Sequence, residues 1–119
     1  MTDHRSALPE ILRGTLDLLI LKALSWGPSH GYGVARWIEL ATGDVLAVGE
    51  GTLYPALHRL AERGWIDSEW GASENNRRAR FYSLTDVGRR QLRAETARWT
   101  RYARAVFAAL EAPALPAEG

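Results

Sequence analysis

Between Gly51 and Arg59 the chain gathers groups that hydrogen-bond in several directions: the hydroxyls of Thr52 and Tyr54, the imidazole of His58 and the guanidinium of Arg59, with Pro55 among them. Side chains of these types reach phosphate oxygens and the donor and acceptor edges of bases in a major groove. Leu53, Leu57 and Leu60 recur at i, i+4 and i+7, which predicts a helix with an apolar side turned inward and these polar groups turned out. No carboxylate stands on that outer surface after Glu50. The helix opens after the apolar stretch Val45-Leu46-Ala47-Val48 and closes at Glu62-Arg63-Gly64, where glycine suits the left-handed position that stops helices. An ordinary amphipathic helix with a solvated polar face would show the same pattern, so its neighbours decide between the two.

Two helices are predicted ahead of it. Ile11 to Trp26 carries Leu12, Leu16, Leu19, Ala23 and Trp26 at helical spacing, and Leu18, Ile20, Leu21 and Leu24 widen the apolar surface nearly all round. Such a helix must be covered on more than one side, and in a chain this small a second subunit is one source of cover. Gly27-Pro28 ends it. His30 to about Thr42 forms the second helix, with Ser29 as its N-cap, Val34, Trp37, Ile38 and Ala41 inward, and Gly43 as its stop. Gly31 and Gly33 flank Tyr32 and would let another backbone or a phosphate strand approach. Tyr32, at a helix N-terminus that attracts anions, reads either as a phosphate contact or as a cap on the small core.

After the third helix, Trp65 to Trp70 alternates apolar and polar residues as a half-buried strand does, and Ala79 to Leu84 is a second strand. The polar segment from Gly71 to Arg78 is too long for a two-residue hairpin turn. Three helices followed by a β-hairpin is the order of a winged helix-turn-helix. Asn75, Asn76, Arg77, Arg78 and Arg80 at the hairpin tip could meet a phosphate backbone or a minor groove, although charged hairpin tips also occur on unrelated proteins. The charge distribution favours an anionic partner more than the total does. The chain is only +1 overall, yet from Asn75 to Arg104 nine arginines stand against two acids. Of 15 basic residues only Lys22 is not arginine, and the arginine fork suits phosphate and guanine. A GC-rich coding sequence would also raise total arginine, but it accounts less well for the clustering.

Thr85 caps a last helix that runs to about Leu110, before Pro113 and Pro116. Leu92, Thr96, Trp99, Ala103, Val106 and Leu110 are spaced alternately four and three apart, a heptad seam. A helix of about 35 Å overshoots a body this small, so an equivalent helix, or the first helix, of a second copy is the expected partner. Packing on the chain's own body is the alternative. A homodimer would set two reading helices about one DNA turn apart on a pseudo-palindromic site.

Other chemistries find little support. There is no cysteine, which removes disulfides, cysteine-zinc sites and thiol catalysis and fits a reducing cytosol. The three histidines, at 4, 30 and 58, have no metal-ligand spacing. Ser29 and His30 are adjacent and so do not face one another on a helix. No glycine-rich phosphate loop follows a strand. No metal or other cofactor is expected, and neither is an enzyme. The 46% hydrophobic and 24% charged content is that of a globular domain. Leu16 to Leu24, interrupted by Asp17 and Lys22, is too short and too charged to span a membrane, and no secretion signal precedes it.

Five segments in this order resemble the PadR family of bacterial transcriptional regulators: Gly14-Thr15-Leu16; His30-Gly31-Tyr32-Gly33; Gly51-Thr52-Leu53-Tyr54-Pro55-Ala56-Leu57 with Leu60 and Gly64; Arg77-Arg78-Ala79-Arg80-Phe81-Tyr82; and Leu84-Thr85-Asp86-Val87-Gly88. The resemblance implies a dimeric winged-helix repressor of double-stranded DNA, with the third helix in the major groove, the wing on the flanking backbone and the C-terminal helix dimerising. The single C-terminal helix is similar to that of the smaller subgroup. In some of its members a tryptophan at the position of Trp99 lines a site for flat aromatic compounds at the dimer interface. Here Trp99 lies on the seam, where it would either sandwich a planar effector or simply fill a dimer core.

The expectation is therefore a mainly helical chain with a small β-hairpin. Residues 1–84 form a winged helix-turn-helix DNA-binding domain whose first ten residues are ragged. Residues 85–112 form a dimerisation helix and 113–119 a disordered tail. The candidate DNA contacts are Tyr32, Gly51, Thr52, Tyr54, Pro55, His58, Arg59, Asn75, Asn76, Arg77, Arg78 and Arg80. The competing function is a winged helix used for protein–protein contact, which salt dependence would separate from DNA binding.

Overall fold

The first helix, apolar on nearly every side, becomes the centre of the core. In the computed structural model, which describes residues 10–115, α1 (Glu10–Leu24) packs against α2 (Gly31–Ala41), α3 (Glu50–Glu62), the strand β3 (Arg78–Leu84) and α4 (Asp86–Glu111). Leu16, Leu18, Ile20, Leu21, Ala23 and Leu24 are buried. Each fully buried Leu or Ile contributes about 2 kcal/mol relative to exposure, so α1 is the main apolar anchor of the fold. Its need for cover on several sides is met largely within the chain, by all three other helices and the sheet. Expectations for residues 1–9 and 116–119 lie outside the described residues.

α1 ends at Leu24, two residues before the expected boundary. Gly27, at φ +137°, turns the chain away, and Trp26 is 70% exposed with the Lys22 ammonium 4.8 Å from its ring centroid. Trp26 is therefore a surface residue and not part of the inward face. The next two residues form an element that periodicity could not reveal. β1 (Ser29–His30) pairs antiparallel with β3, Ser29 opposite Tyr82 and His30 opposite Phe81. Ser29 is thus a strand residue, and His30 is the N-cap of α2, its Nδ1 accepting from the Gly33 N–H at 3.0 Å. Val34 and Ile38 are buried and Trp37 half-buried as expected, whereas Ala41 is exposed. At the far end Thr42 donates to the Ile38 carbonyl and accepts from the Leu46 N–H, and Gly43 and Asp44, both at positive φ, carry the chain toward α3.

The sheet has strand order β1-β3-β2, with β2 (Ile66–Ala72) antiparallel to β3 from Ile66–Leu84 out to Ala72–Arg78. The strands run further into the hairpin than expected, so the loop shortens to Ser73–Arg77. The Ser73 N–H donates to the Arg77 carbonyl, and Asn76 takes the left-handed conformation that asparagine tolerates. Ile66 and Tyr82 seal the core from the sheet side. No helix among the described residues is long and apolar enough to cross a membrane.

α4 is capped as the sequence indicates, its Thr85 Oγ1 accepting from the Gly88 N–H at 3.0 Å. The same hydroxyl donates to the Gly64 carbonyl, and the Thr85 N–H donates to the Trp65 carbonyl. These bonds tie the end of α3 to the start of α4. The seam divides along its length. Leu92 is half-buried against the core, and Trp99 and Ala103 are half-buried. Thr96 is exposed, its hydroxyl donating back to the Leu92 carbonyl. Val106 and Leu110 are 39% and 74% exposed, and Phe107, off the seam, is also exposed. The helix thus rests on the chain's own body over its first part, as the alternative reading had it, while beyond Ala103 it is bare.

Candidate nucleic-acid interface

α3 forms because Leu53, Ala56, Leu57 and Leu60 give it one continuous buried side. Gly49 is its N-cap, the Gly49 carbonyl accepting from the Thr52 and Leu53 N–H groups, and Gly64, at φ +77°, is its stop. Gly51, Tyr54, Pro55 and His58 are exposed on the opposite side, and Thr52 is half-buried at its flank. Pro55 lies inside the helix and has no N–H to give, which leaves the Gly51 carbonyl without its usual intrahelical donor.

Gly51 sits in open space, with nothing within 4 Å of where a Cβ would stand. Gly51→Ala is accordingly expected to stabilise the fold by about 0.5 kcal/mol through helix propensity. The same methyl would hold a duplex off the helix N-terminus, so DNA affinity should fall. Denaturant unfolding beside a binding titration checks both signs, and unchanged affinity would take Gly51 off the contact surface.

Tyr54 is fixed from behind. A Cβ on Gly31 would lie 2.8 Å from the Tyr54 hydroxyl oxygen, so glycine at 31 makes room for this ring. Gly33 similarly sits against Ser29 and the His30 ring. The two glycines thus serve close packing within the chain, not the approach of another strand. Tyr32 between them is 73% exposed, which removes its reading as a core cap and leaves its hydroxyl facing solvent at the start of α2.

Tyr54, Pro55, His58 and Glu62 on α3 face Ser68, Arg80 and Tyr82 on the sheet across an open groove of about 730 Å³. Glu62 adds a carboxylate to this face: its Oε2 is 3.4 Å from His58 Nε2. Burial raises the Tyr82 phenol above its ordinary ionisation range; the Arg80 charge lowers it and Tyr54 raises it further. The phenol stays neutral and forms part of the wall of the groove. Arg59 does not join this face. Its guanidinium folds back to Asp17 on α1 at 2.5 Å, with both side chains more than two-thirds covered. It ties α3 to the central helix.

On the hairpin, Asn75, Asn76, Arg77, Arg78 and Arg80 are all exposed. Arg80 Nε donates to Ser68 Oγ at 3.0 Å. The sequence reading missed Trp70, whose ring lies under both the Arg78 and Arg80 guanidinium groups. It also missed Ser68 and Tyr82 as parts of the groove. The strand register identifies all three once the hairpin loop is placed at Ser73–Arg77.

On α4, Trp99 stacks on Tyr102, ring centroids 5.3 Å apart and planes 23° from parallel. With Gly14, Thr15, Leu18, Glu95 and Arg98 these rings line an open, mostly apolar pocket of about 230 Å³ between α1 and α4.

Three helices, a helix-turn-helix at α2–α3 and a basic β-hairpin beside the exposed face of α3 define a winged helix-turn-helix of the DNA-binding class. The profile of the PadR-like family of transcriptional regulators matches residues 20–94. A transcriptional regulator from Clostridium thermocellum is 30% identical and superposes with a TM-score of 0.74 over 82% of this chain and 95% of its own. A PadR family regulator from Eggerthella lenta is 33% identical, TM-score 0.72, over 87% and 88%. A PadR-like regulator from Bacillus cereus is 26% identical, TM-score 0.75, over 88% and 100%. The chain belongs to the PadR-like family of transcriptional regulators.

Proposed function

We propose that this protein is a cytoplasmic, homodimeric repressor that binds a pseudo-palindromic operator in double-stranded DNA. The observation that carries the reading is the groove in which the exposed side of α3 faces Arg80 of the β2–β3 hairpin, with Arg77 and Arg78 exposed further along the same hairpin. α3 enters the major groove with Thr52, Tyr54, Pro55 and His58 nearest the bases and Gly51 close to the backbone. Tyr32 meets a phosphate from the start of α2. Asn75, Asn76, Arg77, Arg78 and Arg80 hold the flanking backbone or the minor groove beside it.

The exposed end of α4 supports dimerisation through the outer part of the seam, Thr96, Trp99, Ala103, Val106 and Leu110, with Val106 and Leu110 as its open apolar residues, while Leu92 at the inner end packs on the chain's own core. The stacked Trp99–Tyr102 pair supports a flat aromatic effector at that interface. Its binding would change the spacing of the two reading helices and release the operator.

Selection of bound duplexes from a random pool tests the reading. Half-sites about one helical turn apart are the expected result. Recovery of no sequence above background, with binding insensitive to salt, would sink it. On the recovered operator, Arg77→Ala is expected to lower the slope of log affinity against log salt by about one, as one phosphate contact is lost. An unchanged slope would remove Arg77 from the interface.

A further inference from the structure

Trp70 stands on the inner face of the hairpin and belongs to neither the core nor the proposed contacts. It pairs with Arg80 across the ladder, and Arg78 lies two residues further out on the same face of β3. Ile66 and Tyr82, nearer the core on that face, are 1% and 8% exposed, whereas Trp70 is 53% exposed. Burial in the core therefore does not account for its large ring. What the ring touches is charge: the guanidinium carbons of Arg78 and Arg80 lie 4.6 Å and 5.3 Å from its centroid. Arg80 is held at a second point, its Nε donating to Ser68 Oγ, and its terminal nitrogens make no hydrogen bond among the described residues.

We infer that Trp70 is a positioning residue of the nucleic-acid interface: its indole orders Arg78 and Arg80 before DNA arrives, an inference that rests on the DNA-binding reading above. An arginine loses much rotamer freedom when it grips a phosphate, and ordering it in the free protein removes part of that cost. Contact with the ring occupies the π face and leaves N–H groups available to phosphate oxygens. The indole carries no charge, so it adds affinity without adding a counterion-releasing contact.

The test is a mutant cycle read by titrating mixed-sequence duplex DNA at moderate salt, since phosphate contacts need no particular sequence. Trp70→Ala should weaken binding about tenfold with an unchanged salt slope, and Trp70→Phe should fall between it and the parent. In a chain already carrying Arg78→Ala and Arg80→Ala, Trp70→Ala should cost less than about twofold more, because nothing remains for the ring to order. An equal cost in both backgrounds would overturn the inference, since a ring that served sheet stability or touched DNA itself would be missed either way. Trp70→Leu, which keeps apolar bulk without a π face, covers the case in which alanine unfolds the hairpin; full affinity in that variant overturns the inference equally. A parent chain that does not bind duplex at all removes the DNA-binding reading and this inference with it. A parent that binds while the cycle is additive removes the inference alone.

Discussion

Gly88→Ala is expected to destabilise the protein by about 3 kcal/mol, at the upper end of what overpacking by one methyl costs. A Cβ at this position would run into the Trp65 carbonyl oxygen, which belongs to the backbone and cannot step aside as a flexible side chain would. The first turn of α4 would have to lift away from the end of α3, and three bonds would be strained together: Thr85 N–H to Trp65, Thr85 Oγ1 to Gly64, and Gly88 N–H to Thr85 Oγ1. Such a loss is a large part of the roughly 5–15 kcal/mol that a domain has. It should lower the melting temperature by on the order of 10 °C. Gly14→Ala is the control, because Gly14 lies inside α1 with nothing within 4 Å of its Cβ position, and alanine there should be neutral or stabilising. Equal melting temperatures for Gly88→Ala and the parent would refute the close approach. The joint matters for function because it fixes the direction of α4 relative to α3. Any dimer built on α4 then inherits a fixed separation between its two reading helices.

How much of this was legible depends on how local each determinant is. The Thr85 cap, the stops at Gly43 and Gly64 and the buried leucines of α3 depend on residues a few positions apart, and one sequence displays them. The PadR-like assignment was legible for the same reason, since its five segments are short and local. The features that escaped join distant positions. Asp17 and Arg59 meet across 42 residues, and nothing near Arg59 marks it as turned toward α1 and not toward solvent. β1 is two residues long and exists only because β3 lies beside it. Ser29 looked like a cap by type, yet β1 runs through His30 and α2 begins only at Gly31, so the cap falls to His30. Gly31 looked like an invitation to an external backbone, while its actual neighbour is the Tyr54 ring from the next helix. Trp70 read as one apolar beat of a strand because periodicity tells which face a side chain takes but not where the core beneath that face ends. The same limit applies to the seam of α4: the spacing is uniform from Leu92 to Leu110, but only the three-dimensional body decides that Leu92 is covered and Leu110 is not.

That division of the seam decides which substitutions can test the dimer. Aspartate at Leu92 would damage the core of the single chain, because Leu92 packs there, and a loss of binding would then prove nothing about assembly. Val106 and Leu110 are 39% and 74% exposed, so Val106→Asp with Leu110→Asp removes little packing from one chain while placing four carboxylates at the proposed two-fold seam. The expected result is a monomer in sedimentation at concentrations where the parent is a dimer. Operator affinity should then fall by on the order of a hundredfold or more, because two linked half-site contacts become one. The salt slope should drop to about half, since each half-site releases its own counterions. A variant that merely misfolded would lose its helical signal, whereas a monomer with an intact winged helix keeps that signal and retains weak binding to a single half-site. Dimers in sedimentation together with parental operator affinity would overturn the assignment of α4 as the interface. The two-fold axis would then have to be sought on another face.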